Sequence, residues 1–256
     1  MTIFNLNADM AEGYGPWKMG DDEGLLDIVQ SANIACGFHA GDYNIMAAVM
    51  SLAAKKGVSL GTHPGFDDLH GFGRRKMNLS SAEIENLIAY QTGAAIAMAS
   101  LVGAEITHIK PHGAINNMAC ADRSMSDAIC RAAKAVAPDL IMLAPALSEL
   151  AASSQDHGLK TAIEVFADRA YMPDGQLAPR SRPDAMIHDP EEALTNCKRM
   201  IGDGEILALD GSTLKVSAHS ICVHGDEPTA LAMARHVKDG LVAAGFTTAT
   251  LPQLLS

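Results

Sequence analysis

Six times along this chain a strand-like apolar run ends in a cluster of His, Asp, Glu, Lys or Arg, with helical segments between the clusters. In order they are Asn7-Ala8-Asp9, Cys36-Gly37-Phe38-His39-Ala40-Gly41-Asp42, His63-Pro64-Gly65, Lys110-Pro111-His112-Gly113, Glu164-Val165-Phe166-Ala167-Asp168-Arg169 and His224-Gly225-Asp226. Strands that alternate with helices lie parallel and are covered by those helices. When such a sheet closes into a barrel, the carboxyl ends of its strands open together at one mouth. The repetition therefore predicts a barrel whose polar strand ends build a single site.

Strand candidates fall at about 3–8, 32–36, 58–62, 106–110, 139–144, 160–166 and 219–224. Helical periodicity covers about 43–56, 81–102, 123–136, 146–157, 190–202 and 227–244. Ser80 with Glu83 makes a capping box, in which a hydroxyl and a carboxylate each take a free amide. Asp189 before Pro190, with Glu191 and Glu192 next, marks another helix start. Gly57, Gly103, Gly158 and Gly245 follow helical runs, where a left-handed residue ends a helix. Residues 168–188 read as a long loop, and 205–217 as a hairpin around Asp210-Gly211. Seven strands plus this hairpin predict an α/β fold, a distorted seven-stranded barrel. No linker or low-complexity stretch interrupts residues 1–256, so one domain is expected.

At 48% hydrophobic residues the chain can bury a large core, and a net charge of -11 argues against a nucleic-acid partner. Five scattered cysteines without a C-x-x-C pair predict free thiols rather than a disulfide framework. No leader pattern and no membrane-spanning apolar run is read, so a cytoplasmic location is expected. Neither a phosphate-binding P-loop nor a G-x-S-x-G nucleophile elbow occurs.

Asp9 and Glu12 follow the first strand, where two carboxylates suit a metal or acid–base chemistry as well as turn formation. Asp42 reads as the cap of the next helix. His39 and His63 end successive strands, and neither cap nor turn accounts for them. His108, Lys110 and His112 share one face if the strand alternation continues. A buried Lys110 needs a carboxylate or anionic ligand, and Glu164, a charge within an apolar strand, is one candidate partner. Arg74, Arg75, Arg169, Arg180 and Arg182 gather in two loops, a pattern for clamping a carboxylate or phosphate.

These stretches, with Trp17-Lys18-Met19-Gly20-Asp21-Asp22-Glu23, Gly71-Phe72-Gly73-Arg74-Arg75, Pro179-Arg180-Ser181-Arg182 and Ile187-His188-Asp189, resemble the LamB/YcsF family of 5-oxoprolinase A subunits in order and over most of the chain. The resemblance implies a barrel like those of glycoside hydrolases and polysaccharide deacetylases. It also implies ATP-dependent opening of the lactam 5-oxoproline to L-glutamate, with two other 5-oxoprolinase subunits as partners and a homo-oligomer left open. Asn5 stands where the family has aspartate, Ala11 where it has glycine, Phe66-Asp67 where it has Tyr-Pro, and Ile115-Asn116 where it has Leu-Tyr.

The expected site then has Asp9, His39, His63 and His112 around a water, one of them acting as base, with a divalent metal as an option. Lys110 and the arginines hold a carboxylate or phosphoryl group. Glu164 and Asp168 orient these cations, and His224 or Asp226 closes the far side. Two other readings stay open. One is a metal-dependent deacetylase or amidohydrolase with Asp9, His63 and His112 as metal triad. The other is a non-catalytic lactam-binding subunit.

Overall fold

The computed structural model of the chain describes residues 2–223 and 230–256. Seven parallel strands close a barrel: β1 (Ile3–Met10), β2 (Ser31–Ala35), β3 (Ser59–His63), β4 (Ile106–Ile109), β5 (Ile141–Pro145), β6 (Thr161–Phe166) and, after the short hairpin β7 (Glu205–Leu207) and β8 (Thr213–Lys215), β9 (Ser220–Val223). Pairing of β9 with β1, Asn5 opposite Ser220, completes the ring. A two-residue strand, β10 (Thr247–Thr248), adds to the start of β1.

The helices are α1 (Asp22–Leu26), α2 (Tyr43–Lys56), α3 (Ser81–Leu101), α4 (Gly113–Ala119), α5 (Arg123–Val136), α6 (Glu149–Asp156), α7 (Pro190–Lys198), α8 (Ala230–Ala243) and α9 (Leu251–Leu254). Their starts follow local chemistry. The Asp42 carboxylate accepts from the amides of Asn44 and Ile45, Ser80 and Glu83 close their capping box, and Asp189 caps α7 with Pro190 in its first turn. The helix expected to run to 202 stops at Lys198 and widens into one π-type turn through Asp203. The start of the last long helix, expected from 227, lies outside the described residues.

Along β1 the alternation is complete. Phe4, Leu6, Ala8 and Met10 face outward into a core shared with the helices, while Asn5, Asn7 and Asp9 face the barrel axis. Along β1 to β4 the axis is lined by polar groups, while Ile141, Leu143, Ala162 and Leu251 form a small apolar cluster on the β5–β6 side, in contrast to the branched apolar layers common in such barrels. Asn5 donates to Ser31 Oγ and to the carbonyl of Ala249, both at 2.8 Å, and accepts from Ser220 Oγ at 2.7 Å. The bond to the Ala249 carbonyl needs an N–H donor, which an aspartate could not supply, so the family departure at Asn5 suits its surroundings. Asn33 donates at 2.8 Å to both Asn7 Oδ1 and Asp9 Oδ1. His108 fits beside it because residue 61 is glycine: a Cβ there would stand 2.2 Å from His108 Nε2.

Candidate active site

The polar column along the axis ends in a cluster at the carboxyl ends of β1, β3, β4 and β6. Lys110, one residue past β4, is buried and reaches Asp9 Oδ1 at 2.9 Å, Glu164 Oε1 at 3.0 Å and Cys222 Sγ at 3.1 Å. The expected pairing of Lys110 with Glu164 is present, and Asp9 shares the same ammonium. Burial works against that charge, but the carboxylates of Asp9 and Glu164 outweigh it and hold Lys110 protonated well above its usual range. Glu164 is fully buried, and burial raises its pKa against the pull of Lys110. Burial also raises the Cys222 thiol, so this sulfur stays protonated.

Three histidines stand beside Asp9. His63 Nδ1 lies 2.6 Å from the Lys110 carbonyl, and its Nε2 lies 3.2 Å from Asp9 Oδ2. His112 Nε2 lies 2.9 Å from the Phe72 carbonyl, and its Nδ1 lies 3.0 Å from His63 Nε2. His39 stacks on His112 with ring centres 3.7 Å apart and points Nε2 at Glu12 Oε1, 3.4 Å away. Burial, then the neighbouring imidazoles, lowers the pKa of His39 well below its ordinary value, and burial with His63 pushes His112 down to about 3. Gly73, at φ +61, makes the stack fit, since a Cβ there would come within 2.7 Å of His39 Cβ and 2.9 Å of His112 Cδ2. Glu12, His39, His63 and His112 each offer a ligand atom, all within 4.8 Å of one another, a donor set able to hold a divalent metal.

A cavity of about 600 Å³ opens on this cluster. Asp9, Glu12, His63, Lys110 and His112 line its inner end, and Arg74, Lys76, Arg169 and Arg180 also line it. Arg169 is buried, donates from Nη2 to the Ala178 carbonyl at 2.6 Å, and is lowered to about 10 by burial and then by Arg180. A buried guanidinium beside a second one favours an anion between them.

The expected site residues divide on this geometry. Asp9, His63, Lys110 and His112 meet at the cavity wall. His39 and Glu164 stand behind it and touch residues that line it. Of the five loop arginines, Arg74, Arg169 and Arg180 line the cavity. Arg75 instead pairs with Asp68, with Nε 2.9 Å from Oδ1, and Arg182 pairs with Asp184 at 2.8 Å; each meets a carboxylate of its own loop before it could reach the mouth. Asp168 is off the described cavity wall, and His224 and Asp226 lie outside the described residues. Lys76 lines the cavity without having stood out in the sequence, and Asn116, noted there as a departure from the family pattern, lines it as well. The Asn116 position, where the family has tyrosine, was the available signal. Among the described residues no helix is long and apolar enough to cross a membrane.

The LamB/YcsF family profile matches residues 4–256. The chain belongs to this family. A relative from Azoarcus sp. (strain BH72), described as the A subunit of 5-oxoprolinase, is 47% identical over 254 residues, 99% of each chain. A lactam utilization protein from Thermus thermophilus has the same fold at a TM-score of 0.92 and 41% identity, covering 97% of this chain and 99% of that one. The catalytic domain of a peptidoglycan N-acetylglucosamine deacetylase from Eubacterium rectale ATCC 33656 superposes at a TM-score of 0.52 with 12% identity over 98% and 88% of the two chains, a likeness of fold alone. The seven-stranded, deacetylase-like barrel expected from the sequence is thus the observed one.

Proposed function

We propose that this LamB/YcsF chain is a hydrolytic subunit of an ATP-dependent 5-oxoprolinase that works with two other subunits and opens the lactam of 5-oxoproline. The observation that carries the reading is one cavity with imidazoles and a carboxylate at its inner end and Lys110, Arg169 and Arg180 also in its wall. The full-length likeness to a relative described as the A subunit of 5-oxoprolinase supports it.

An amide in a five-membered ring is resonance-stabilised and reacts slowly with water. A phosphoryl group transferred from ATP to the amide oxygen makes the ring carbon electrophilic. Water then adds to that carbon, the C–N bond breaks, and the ring nitrogen takes a proton. A second water releases phosphate, so ATP and two waters yield L-glutamate, ADP and phosphate. Asp9, His63 and His112 are placed to take the proton from the attacking water. His39 holds this group from behind through Glu12 and the stack on His112. Lys110, fixed by Glu164, is placed to stabilise negative charge on the opening amide. Arg169 and Arg180, with Arg74, are placed to hold the substrate carboxylate or the phosphoryl group.

The test is ATP-dependent glutamate release, measured with this chain alone and with its partner subunits. The complex should form glutamate, and a complex carrying His63→Gln or Lys110→Met should lose at least about 100-fold in turnover, the scale of lost acid–base or electrostatic groups. Unchanged turnover in both variants would point to a lactam-binding subunit without chemistry of its own. Acetate release from an acetylated sugar by the chain alone, without ATP, would favour the deacetylase reading.

A further inference from the structure

The two innermost histidines have their protons fixed by backbone carbonyls. A carbonyl oxygen only accepts, so His63 Nδ1, 2.6 Å from the Lys110 carbonyl, carries a hydrogen. His112 Nε2, 2.9 Å from the Phe72 carbonyl, carries one as well. In neutral imidazoles the other nitrogens are then bare lone pairs. Those nitrogens, His63 Nε2 and His112 Nδ1, face each other at 3.0 Å. Two lone pairs at that distance repel unless a proton or a metal ion lies between them.

Two carboxylates flank the pair. Asp9 Oδ2 is 3.2 Å from His63 Nε2, and Glu12 Oε1 is 3.6 Å from His112 Nδ1. Ligands bound tetrahedrally at about 2.0–2.2 Å from a metal sit roughly 3.3–3.5 Å from one another, and the three adjacent spacings in the order Asp9, His63, His112, Glu12, at 3.2, 3.0 and 3.6 Å, bracket that value. The outward N–H to carbonyl bonds of both rings are the supports that orient metal-binding imidazoles.

His39 behaves differently, although its Nε2 lies close by. Its Nδ1 is buried with no hydrogen-bond partner, and a Cβ on Gly65 would come within 2.6 Å of that atom. A hydrogen on Nδ1 would be a buried donor without an acceptor. The hydrogen therefore sits on Nε2 and is given to Glu12 Oε1, 3.4 Å away.

We propose that Asp9 Oδ2, Glu12 Oε1, His63 Nε2 and His112 Nδ1 bind one first-row divalent transition-metal ion, while His39 is a positioning residue that aligns Glu12 and is not a ligand. Two imidazoles with two carboxylates suit zinc, cobalt or manganese, whereas magnesium and calcium favour oxygen-only shells. All four ligand residues line the cavity, so a water or substrate oxygen would reach the ion from that side as a fifth ligand, and the ion would raise its acidity. The proposal stands apart from the identity of the lactam substrate; with the ion bound, His63 and His112 would have no lone pair left for a proton, and the water's proton would pass to a carboxylate oxygen of Asp9 or Glu12 instead.

The full chain, stripped by chelation and dialysed, is titrated with zinc and with manganese by calorimetry at neutral pH, and its metal content is measured after refilling. One ion per chain is expected, and cobalt should give a visible d–d spectrum with nitrogen ligation. His63→Gln and His112→Gln should weaken binding by more than about 1000-fold and change the cobalt bands. His39→Gln keeps a donor toward Glu12 and should stay within about 10-fold of the parent, the mild end of supporting-residue losses. Circular dichroism and Tm of each stripped variant separate loss of the site from loss of the fold; where His112→Gln does not fold, Glu12→Gln replaces it with the same expected loss. A parent chain that takes up no stoichiometric zinc, cobalt or manganese overturns the proposal. So does a His39→Gln chain that loses as much affinity as the His63 and His112 variants.

Discussion

Ala11 stands at φ +61, a left-handed conformation that costs a residue with a Cβ roughly 1 kcal/mol, and it does so where the family has glycine. Ala11→Gly should therefore stabilise by up to about 0.6 kcal/mol, after roughly 0.4–1 kcal/mol for the extra freedom of glycine in the unfolded chain is subtracted, and raise the Tm slightly. No loss of Tm-derived stability is expected, and a drop would show that the Ala11 methyl contributes more by packing than its conformation costs. The amide of Ala11 donates to the Asp22 carboxylate at 3.2 Å, and burial, opposed by that bond and assisted by Asp21, raises Asp22 to about 6 from 3.8. The folded chain holds this proton more tightly than the unfolded one. The resulting stability is complete below pH 3.8 and is lost as pH rises through 6, up to roughly 3 kcal/mol. Asp22→Asn, which keeps an acceptor, should stabilise at pH 8 and give no gain at pH 4, read from paired melting curves. At this scale the sequence reveals residues whose partners are local. Asp42, Ser80 and Asp189 announce themselves as caps because the amides they bind lie two or three residues away. Glu12 and Asp9 do not reveal their separate roles, because those depend on His39 and Lys110, 27 and 101 residues away.

Among the elements, the long ones were legible because pattern and punctuation agree. Helix α2 has Asp42 before it and Gly57 after it, and α5 occupies the predicted 123–136. The short elements were not legible. Helix α4 begins directly after the Lys-Pro-His-Gly motif, with His112 at its cap position making no side-chain capping bond, so nothing local signals it. Strand β10 is two residues long and exists through its pairing with β1. Space between elements is equally invisible in one sequence, as Gly61 on β3 illustrates. Gly61→Ala would drive a methyl into His108 and should cost about 1–3 kcal/mol. The His108 to Asn33 hydrogen bond, 3.0 Å in the parent, should break with it, which imidazole NMR would report. A Gly61→Ala chain with parental Tm and parental His108 resonances would contradict this account of the barrel axis.

Taken whole, the barrel holds its site on a largely polar axis, with one apolar cluster on the β5–β6 side. Deleting a charge there harms both the fold and the chemistry. Lys110→Met would leave Asp9 and Glu164 facing each other without their shared cation, a change of about 3–5 kcal/mol when one partner of a buried pair is removed. Chemical denaturation should show that loss. Arg169→Met removes a cation from the cavity wall without touching this cluster, so it should raise KM for the lactam by about tenfold or more with kcat much less affected. Equal losses in KM and kcat for that variant would place Arg169 nearer the reacting atoms.

The closure of β1 on β9 and β10 also dictates when this site can exist. The first strand finds one neighbour at once in β2, but its other edge waits for Ser220 and Thr247, more than two hundred residues later in the chain. Synthesis runs from the amino end, so Asp9 is among the first functional groups to leave the ribosome and among the last to be enclosed. Until the final strands arrive, the growing polypeptide carries an open edge and a wet cluster of charges in place of a sealed axis. A chain cut short before residue 220 should therefore aggregate rather than accumulate as a smaller working barrel.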